Sequence, residues 1–168
     1  METKKIPVGS GKFALVDDAD YDWLNQYMWY TDHYGYVMIC FSRSILAHAP
    51  IPDVASTGIS MSRLILELEP GDKREADHIN HNILDNRRNN LRIATRAQNQ
   101  YNQSIRDEGT SKFKGVYWDK QNKKWHAHIS INNKTKSLGR FDSERTAALA
   151  YNLAAKRHFK EFAFLNKI

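Results

Sequence analysis

The sequence predicts an α+β protein, and three observations support this fold class. Residues 1–70 alternate apolar and polar side chains in short pieces, which is typical of β-strands. Residues 74–102 read as a strand, a polar loop, a second strand and a helix. Residues 113–159 read as three strands followed by one helix. We therefore expect a β-rich N-terminal region, a ββα motif, and a three-stranded antiparallel sheet with one helix.

The charge of the chain is unevenly distributed. The chain has 168 residues and a net charge of +6. Residues 1–75 carry 7 Lys and Arg against 11 Asp and Glu, whereas residues 76–168 carry 18 against 8. An acidic part followed by a strongly basic part predicts that the basic part binds a polyanion, with nucleic acid as the leading candidate. The alternative is a solvated cationic surface.

Several classes of protein are excluded or disfavoured by composition. No apolar run approaches the roughly 20 residues of a membrane span, so no membrane partner is expected. The N-terminus lacks the apolar segment of a secretory signal, which predicts a cytoplasmic protein. Cys40 is the single cysteine, which excludes an intramolecular disulfide and a Cys-based zinc site. We expect Cys40 to be a small buried hydrophobe within a strand.

The N-terminal region should be a β-rich structure with few helices. The predicted elements are strands at 13–16, 29–32 and 36–41, helices at 20–27 and 61–68, a hairpin turn at 33–35 and a loop at 42–59. Four acids lie close together at Asp17, Asp18, Asp20 and Asp22, but their spacing matches no metal cage, which predicts a solvated turn. The region either supports the rest of the chain or adds DNA contacts.

The densest polar segment runs over residues 77–102, DHINHNILDNRRNNLRIATRAQNQYN. A strand at 74–79 places Asp77 and His78 at its end, residues 80–88 form a loop, and 91–94 form a second strand. Thr95 is a suitable N-cap for a helix that reaches residue 102. Asn is disfavoured inside helices and strands because its side chain competes for backbone hydrogen bonds. The many Asn residues of this segment therefore indicate a functional site or a long loop.

This segment resembles the HNH nuclease motif, the ββα-metal (His-Me finger) fold of HNH homing endonucleases. The resemblance implies that Asp77 binds a divalent metal ion and that His78 is the general base. It further implies that Asn90 orients His78 and that Asn99 completes the metal site. The third letter of the motif is Asn here rather than His, which favours Mg²⁺ or Mn²⁺ over zinc.

The residue chemistry agrees with the resemblance. A carboxylate and an amide oxygen are hard ligands suited to Mg²⁺ or Mn²⁺. A histidine with a pKa near 6.5 accepts a proton from water at neutral pH. Four arginines are expected to meet DNA phosphates, namely Arg87, Arg88, Arg92 and Arg96. His81 and Asp85 either assist the metal or DNA or, as we rather expect, lie at the loop surface. Asn82, Asn86 and Asn89 should hold the loop through side-chain to backbone bonds.

The sequence of residues 112–168 predicts a separate domain. Strands are expected at 113–118, 125–131 and 134–138, with a tight turn at Asn132 and Asn133 and a helix capped by Asp142 or Ser143. Residues 106–111 read as a linker. The predicted domains are therefore 1–105, with a scaffold at 1–70 and the ββα motif at 72–105, and 112–168.

The C-terminal module resembles an AP2 DNA-binding domain. The resemblance is carried by Gly115, Val116, Trp125, Leu138, Gly139, Phe141, residues 147–151, Ala154, Ala155, Leu165 and Asn166. It implies that the sheet lies in the DNA major groove, with a reading face of Lys114, Tyr117, His128, Ser130, Thr135 and Ser137. Plant members present several Arg and Trp at these places, so their base preference does not transfer.

Other side chains of this module should contact the DNA backbone. Expected phosphate contacts are Lys123, Lys124, Lys134, Lys136 and Arg140. Trp118 either contacts a base or sugar or is partly buried in the core.

The sequence thus predicts a metal-dependent, site-specific DNA endonuclease of homing type that acts on double-stranded DNA in a bacterial or phage-infected cell. One such site cuts one strand, so a monomer would nick DNA and a homodimer would break both strands. The alternative is a DNA-binding regulator that kept the nuclease fold without cleaving.

Overall fold

The computed structural model describes residues 2–39, 58–104 and 109–168. The expectations for Cys40, for most of the loop at 42–59 and for part of the linker lie outside the described residues. Contacts divide the chain into two units, Met1–Arg96 and Ala97–Ile168. The helix of the predicted ββα motif therefore groups with the C-terminal unit, although we assigned it from sequence to the first domain.

In its described residues, the first unit contains three small sheets and two short helices. Its elements are β1 (Thr3–Pro7), β2 (Phe13–Asp17), α1 (Asp18–Leu24), β3 (Trp29–Thr31), β4 (Val37–Ile39), β5 (Ile59–Ser60), α2 (Met61–Ile65), β6 (Glu75–His78), a 3-10 turn (Arg88–Asn90) and β7 (Leu91–Ala94). β1 pairs with β2, β3–β4–β5 form a second sheet, and β6 pairs with β7, all antiparallel.

One core joins the sheets of the first unit. Apolar side chains from β1, β2, α1, β4 and α2 are fully buried in it, including Ile6, Val16, Leu24, Ile39 and Ile65. β1 was not predicted, because in its sequence TKKIP only Ile6 is buried and no clear alternation is visible. The hairpin turn before β4 is confirmed, with the carboxylate of Asp32 accepting from the N–H groups of Tyr34 and Tyr36 at 2.9 Å.

Two of the four acids at the start of α1 are buried, whereas Asp18 and Asp22 are exposed as predicted. Asp17 and Asp20 are only 4% and 2% exposed. The backbone N–H of Arg88 donates to Asp17 Oδ2 at 2.8 Å, and the Arg88 guanidinium donates to both oxygens of Asp20 at 2.8 and 2.7 Å. The prediction of a solvated turn is therefore wrong for these two residues. Buried carboxylates require such partners, because an uncompensated charge is costly away from water.

The second unit is a three-stranded antiparallel sheet backed by one helix. Its elements are α3 (Arg96–Asn102), which begins at the unit boundary, then β8 (Val116–Asp119), β9 (Lys124–Ile131), β10 (Lys134–Phe141), α4 (Glu144–Phe159) and a 3-10 turn (Lys160–Phe162). The strand order is β10–β9–β8. The predicted turn residues Asn132 and Asn133 have φ values of 51° and 60°, which asparagine tolerates and which suit a two-residue hairpin.

Small residues let α4 lie close to the sheet. Ala127 of β9 and Ala147 and Ala155 of α4 are fully buried. A Cβ at Gly115 would come within 2.1 Å of the ring of Tyr151, so this position requires glycine. The predicted α+β fold class is confirmed, and no described helix is long and apolar enough to cross a membrane.

Candidate functional site

The predicted metal ligand Asp77 and the predicted base His78 lie at the buried end of a strand. Asp77 and His78 are the last residues of β6 and are 4% and 6% exposed. The strand pairs Asp77 with Arg92 and His78 with Leu91. Arg92 Nε donates to Asp77 Oδ2 at 2.7 Å. Arg92 therefore holds the carboxylate of Asp77, and the phosphate contact expected of Arg92 stays a prediction.

The imidazole of His78 is oriented by Asn86. His78 Nε2 lies 3.3 Å from Asn86 Oδ1, and Asn86 Nδ2 donates to the carbonyl of Ile83 at 3.3 Å. The bond to Ile83 identifies the oxygen of the amide as the atom that faces the ring. The neutral histidine that donates to this oxygen carries its proton on Nε2, and Nδ1 is then the basic nitrogen.

Asn90 has a different place from the one expected. Its Oδ1 accepts from the N–H of Asn80 at 3.0 Å, and its Nδ2 donates to the carbonyl of Asp85 at 2.7 Å. The amide oxygen within hydrogen-bonding distance of His78 Nε2 is thus that of Asn86, and Asn90 fixes the loop that carries Asn86. The spacing of the motif predicts Asn90 as the orienting residue, whereas the structure places Asn86 beside the ring.

Asp85 is buried and paired, so its predicted place at the loop surface is wrong. It is 2% exposed, and Arg87 donates to both of its oxygens at 2.7 Å. The side chain of Asn80 adds a bond at 2.9 Å. The hydrogen bonds from the Arg87 guanidinium lower the pKa of the Asp85 carboxyl group. Arg87, like Arg88 and Arg92, forms an internal ion pair, and the phosphate contacts expected of these arginines stay predictions.

The N-terminal region supports this loop. The N–H of Leu15 in β2 donates to the carbonyl of Leu84, and the N–H of Asn86 donates to the carbonyl of Leu15, both at 2.8 Å. The loop is thereby attached to the edge of β2 as a short parallel bridge. Of the two roles left open for residues 1–70, these contacts support the scaffold.

Burial sets the electrostatics around His78. Removal from water lowers the pKa of His78, and this outweighs the opposite effects of Asn86, Asp77 and Asp85. The ring of Tyr36 lies 6.3 Å from the imidazole, centroid to centroid, and burial raises the pKa of its phenol. The imidazole of His78 is therefore mainly uncharged at neutral pH, which is the form required of a base.

The metal-ligand candidates lie in separate units. Asp77 ends β6 in the first unit, and Asn99 lies in the middle of α3 in the second. In the described part of the chain, no three His, Cys, Asp or Glu side chains are grouped as a metal cage. The donor chemistry of one carboxylate and one amide fits Mg²⁺ or Mn²⁺, which usually keep several bound waters.

The exposed face of the second unit's sheet is a connected polar surface. The hydroxyl of Tyr117 lies 2.6 Å from His126 Nδ1, and His126 Nε2 lies 2.7 Å from Ser137 Oγ. Ser130 and Thr135 are hydrogen-bonded at 3.0 Å. His126 lies on the predicted reading face as well. The sequence prediction missed it, although the alternation of β9 places it beside His128. Trp118 packs edge-to-face on Trp125 at 5.1 Å, which supports its partial burial.

The basic side chains of this unit divide into engaged and exposed groups. Lys114 donates to the main-chain carbonyl of Tyr101 at 2.9 Å and is drawn away from the reading face. Arg140 pairs with Asp119 at 2.7 Å, and Lys124 pairs with Asp142 at 3.0 Å. Three other expected contacts of this unit have exposed side chains, namely Lys123, Lys134 and Lys136, and Arg96 at the end of the first unit is exposed as well.

A ββα element that ends in a buried Asp-His pair, followed by a sheet-and-helix unit, defines the class of ββα nucleases with an added DNA-binding module. The HNH endonuclease family model matches residues 61–101, and the AP2 domain model matches residues 111–160. The uncharacterized HNH endonuclease L560 of Acanthamoeba polyphaga mimivirus is 33% identical over 160 residues, which cover 95% of this chain and 78% of that protein. The chain belongs to the HNH endonuclease family.

A second relative is shorter. Protein 3.8 of Escherichia phage T7 is 28% identical over 82 residues, which cover 49% of this chain and 68% of that protein. No solved structure matches the chain. The two family matches imply DNA as the partner and a divalent metal ion as the typical cofactor.

Proposed function

We propose that the protein is a metal-dependent, site-specific DNA endonuclease in which His78 is the general base. The observation that carries the proposal is the pair formed by His78 Nε2 and Asn86 Oδ1, next to the buried carboxylate of Asp77. This arrangement holds a neutral histidine in one tautomer, which is what proton abstraction from water requires. A protein that only binds DNA has no use for it.

Each residue of the site has a proposed task. Nδ1 of His78 removes a proton from the attacking water, while Asn86 holds the ring through Nε2. Asp77 and Asn99 would hold one Mg²⁺ or Mn²⁺ ion. When bound, the ion neutralises charge on the scissile phosphate and assists the leaving oxygen. Arg92 keeps the carboxylate of Asp77 in place through the bond at 2.7 Å.

DNA selection is assigned to the second unit. Its exposed sheet face offers hydroxyl and imidazole groups to base edges, with Tyr117, His126 and Ser137 already joined by hydrogen bonds. The exposed lysines would contact phosphates, which give affinity without sequence information. A protein with one such site is expected to nick one strand as a monomer and to break both strands as a homodimer. The activity is of the homing type.

A plasmid relaxation assay tests the proposal. The full chain is incubated with supercoiled DNA that contains its site, with Mg²⁺ or Mn²⁺, beside the His78→Ala variant. We expect nicking by the wild type and none by His78→Ala, with equal DNA binding in a gel-shift assay. His81→Ala is the matched control, because His81 is an exposed histidine of the same loop. DNA binding without cleavage by the wild type would overturn the enzyme and favour the regulator.

A further inference from the structure

The helix that carries Asn99, α3, is held at its C-terminal end by a lysine of the second unit. Lys114 Nζ lies within hydrogen-bonding distance of the main-chain carbonyl oxygens of Gln100, Tyr101 and Gln103. The last carbonyls of a helix have no partners within the helix, and a cation there also complements the helix dipole. The ammonium group of Lys114 therefore provides hydrogen-bond donors for the main-chain carbonyl groups at the end of α3.

Aromatic contacts attach the same turn of α3. The ring of Tyr101 stacks on Phe159 of α4 with centroids 3.8 Å apart and planes within 10°. The N–H of Phe164 donates to the carbonyl of Tyr101 at 3.3 Å, and Lys114 Nζ lies 5.4 Å from the centre of the Phe164 ring. α3 has only seven residues, and a helix of this length is not stable without tertiary contacts. The position of α3 is thus set by its contacts with the rest of the second unit.

We infer that Lys114 is a positioning residue for metal binding, which fixes α3 and thereby the placement of Asn99 for the ion. The inference rests on the proposed function, because it takes Asn99 as a metal ligand. Asn99 directly precedes Gln100, whose carbonyl Lys114 approaches. A displacement of about 1 Å in a catalytic group is enough to cost orders of magnitude in rate.

This role differs from the one that the AP2 resemblance implies for Lys114, which is a contact with DNA. A DNA contact would need the ammonium at the exposed sheet face. The ammonium instead lies partly buried against the end of α3, and desolvation lowers its pKa to about 8. It therefore remains mostly charged at neutral pH and keeps its donors for the carbonyls.

The test compares three variants of the full chain, Lys114→Gln, Lys114→Arg and Lys134→Gln. Lys134→Gln is the control, because it removes an exposed lysine of the same unit. Three quantities are measured: amide hydrogen exchange in α3, the Mn²⁺ concentration for half-saturation in a binding titration, and the salt dependence of DNA affinity. Circular dichroism verifies that each variant is folded.

For Lys114→Gln we expect exchange in α3 to accelerate about tenfold and the half-saturating Mn²⁺ concentration to rise about tenfold, with DNA affinity unchanged. Lys114→Arg should fall between this variant and the wild type, since it keeps the charge but not the compact ammonium. Lys134→Gln should leave the first two quantities unchanged and reduce the salt slope of DNA binding by about 1. If Lys114→Gln does not fold, Lys114→Arg carries the comparison.

Two results would overturn the inference. One is unchanged α3 exchange and Mn²⁺ binding in Lys114→Gln; the other is a weaker DNA affinity with a smaller salt slope, which would make Lys114 a phosphate contact. If the wild type neither bound Mn²⁺ nor cleaved DNA, the proposed function itself would fail. Exchange in α3 would then still report the contact of Lys114, but its role in metal binding would fall with the function.

Discussion

The imidazole of His78 and the amide of Asn86 meet with Nε2 3.3 Å from Oδ1. Both side chains are buried, and the other end of the amide is fixed on the carbonyl of Ile83. The tautomer of the proposed base is thus decided by a main-chain carbonyl three residues before Asn86. This relationship places the orienting function in the loop between β6 and β7, which β2 supports through Leu15.

Replacement of Asn86 should therefore impair cleavage more than DNA binding. In Asn86→Ala the ring of His78 loses the group that orients it, and we expect kcat to fall about 10–100-fold, the usual cost of losing such a supporting group. Single-turnover cleavage and gel-shift affinity measured side by side report the difference. Asn89→Ala is the matched control, because Asn89 is an exposed residue of the same loop. Equal rates for the two variants would contradict the assignment.

The pH dependence of cleavage should reflect the lowered pKa of His78. Burial shifts this pKa below the ordinary 6.5, so the imidazole takes up a proton only at a lower pH. The cleavage rate should thus be level at neutral pH and fall on the acid side with a midpoint below 6.5. Asn86→Asp places a carboxylate beside Nε2, which favours the imidazolium form and should move the midpoint to higher pH. DNA affinity measured at each pH separates protonation of His78 from loss of binding.

The ion pair of Arg88 and Asp20 gives a prediction for stability. Arg88→Ala leaves Asp20, which is 2% exposed, without its guanidinium partner. We expect the free energy of unfolding to fall by about 1–3 kcal/mol, toward the lower end because the side chain of Arg88 is itself 47% exposed. Urea denaturation measures this change.

The same variant tests whether Arg88 contacts DNA. Because its guanidinium is engaged by Asp20, Arg88→Ala should leave the salt slope of DNA binding unchanged. Arg96→Ala removes an exposed arginine and should leave stability within about 0.5 kcal/mol. A smaller salt slope for Arg88→Ala would restore the phosphate contact that the sequence predicted.

The elements of both units were largely predictable because they depend on local patterns. Alternation located β9, whose buried residues Ala127 and Ile129 lie opposite His126 and His128. The cap-like Thr95 located the start of α3 at Arg96. β1 was missed because its lysines and proline hide a single buried isoleucine. Local periodicity thus predicts the strands correctly where each strand has one apolar face.

The partners of the arginines were not predictable, because they depend on contacts between distant parts of the chain. Arg88 binds Asp20, 68 positions earlier, and no local pattern links the two. The choice between Asn86 and Asn90 also depends on the path of the loop, which main-chain bonds to Leu15 determine. The sequence could identify the types of residue in the site but not which of several asparagines contacts the ring.

His126 should decide part of the sequence preference. Its two ring nitrogens join Tyr117 of β8 to Ser137 of β10, so a single side chain orders hydroxyl groups across the sheet. In His126→Ala these hydroxyls lose their fixed directions, and we expect the ratio of specific to non-specific DNA affinity to fall about tenfold, at the lower end of the value of one good base contact. Competition binding against an unrelated duplex measures this ratio. His158→Ala removes an exposed histidine of α4 and should change nothing. A uniform loss of affinity for both duplexes would show instead that His126 contributes to binding without reading the sequence.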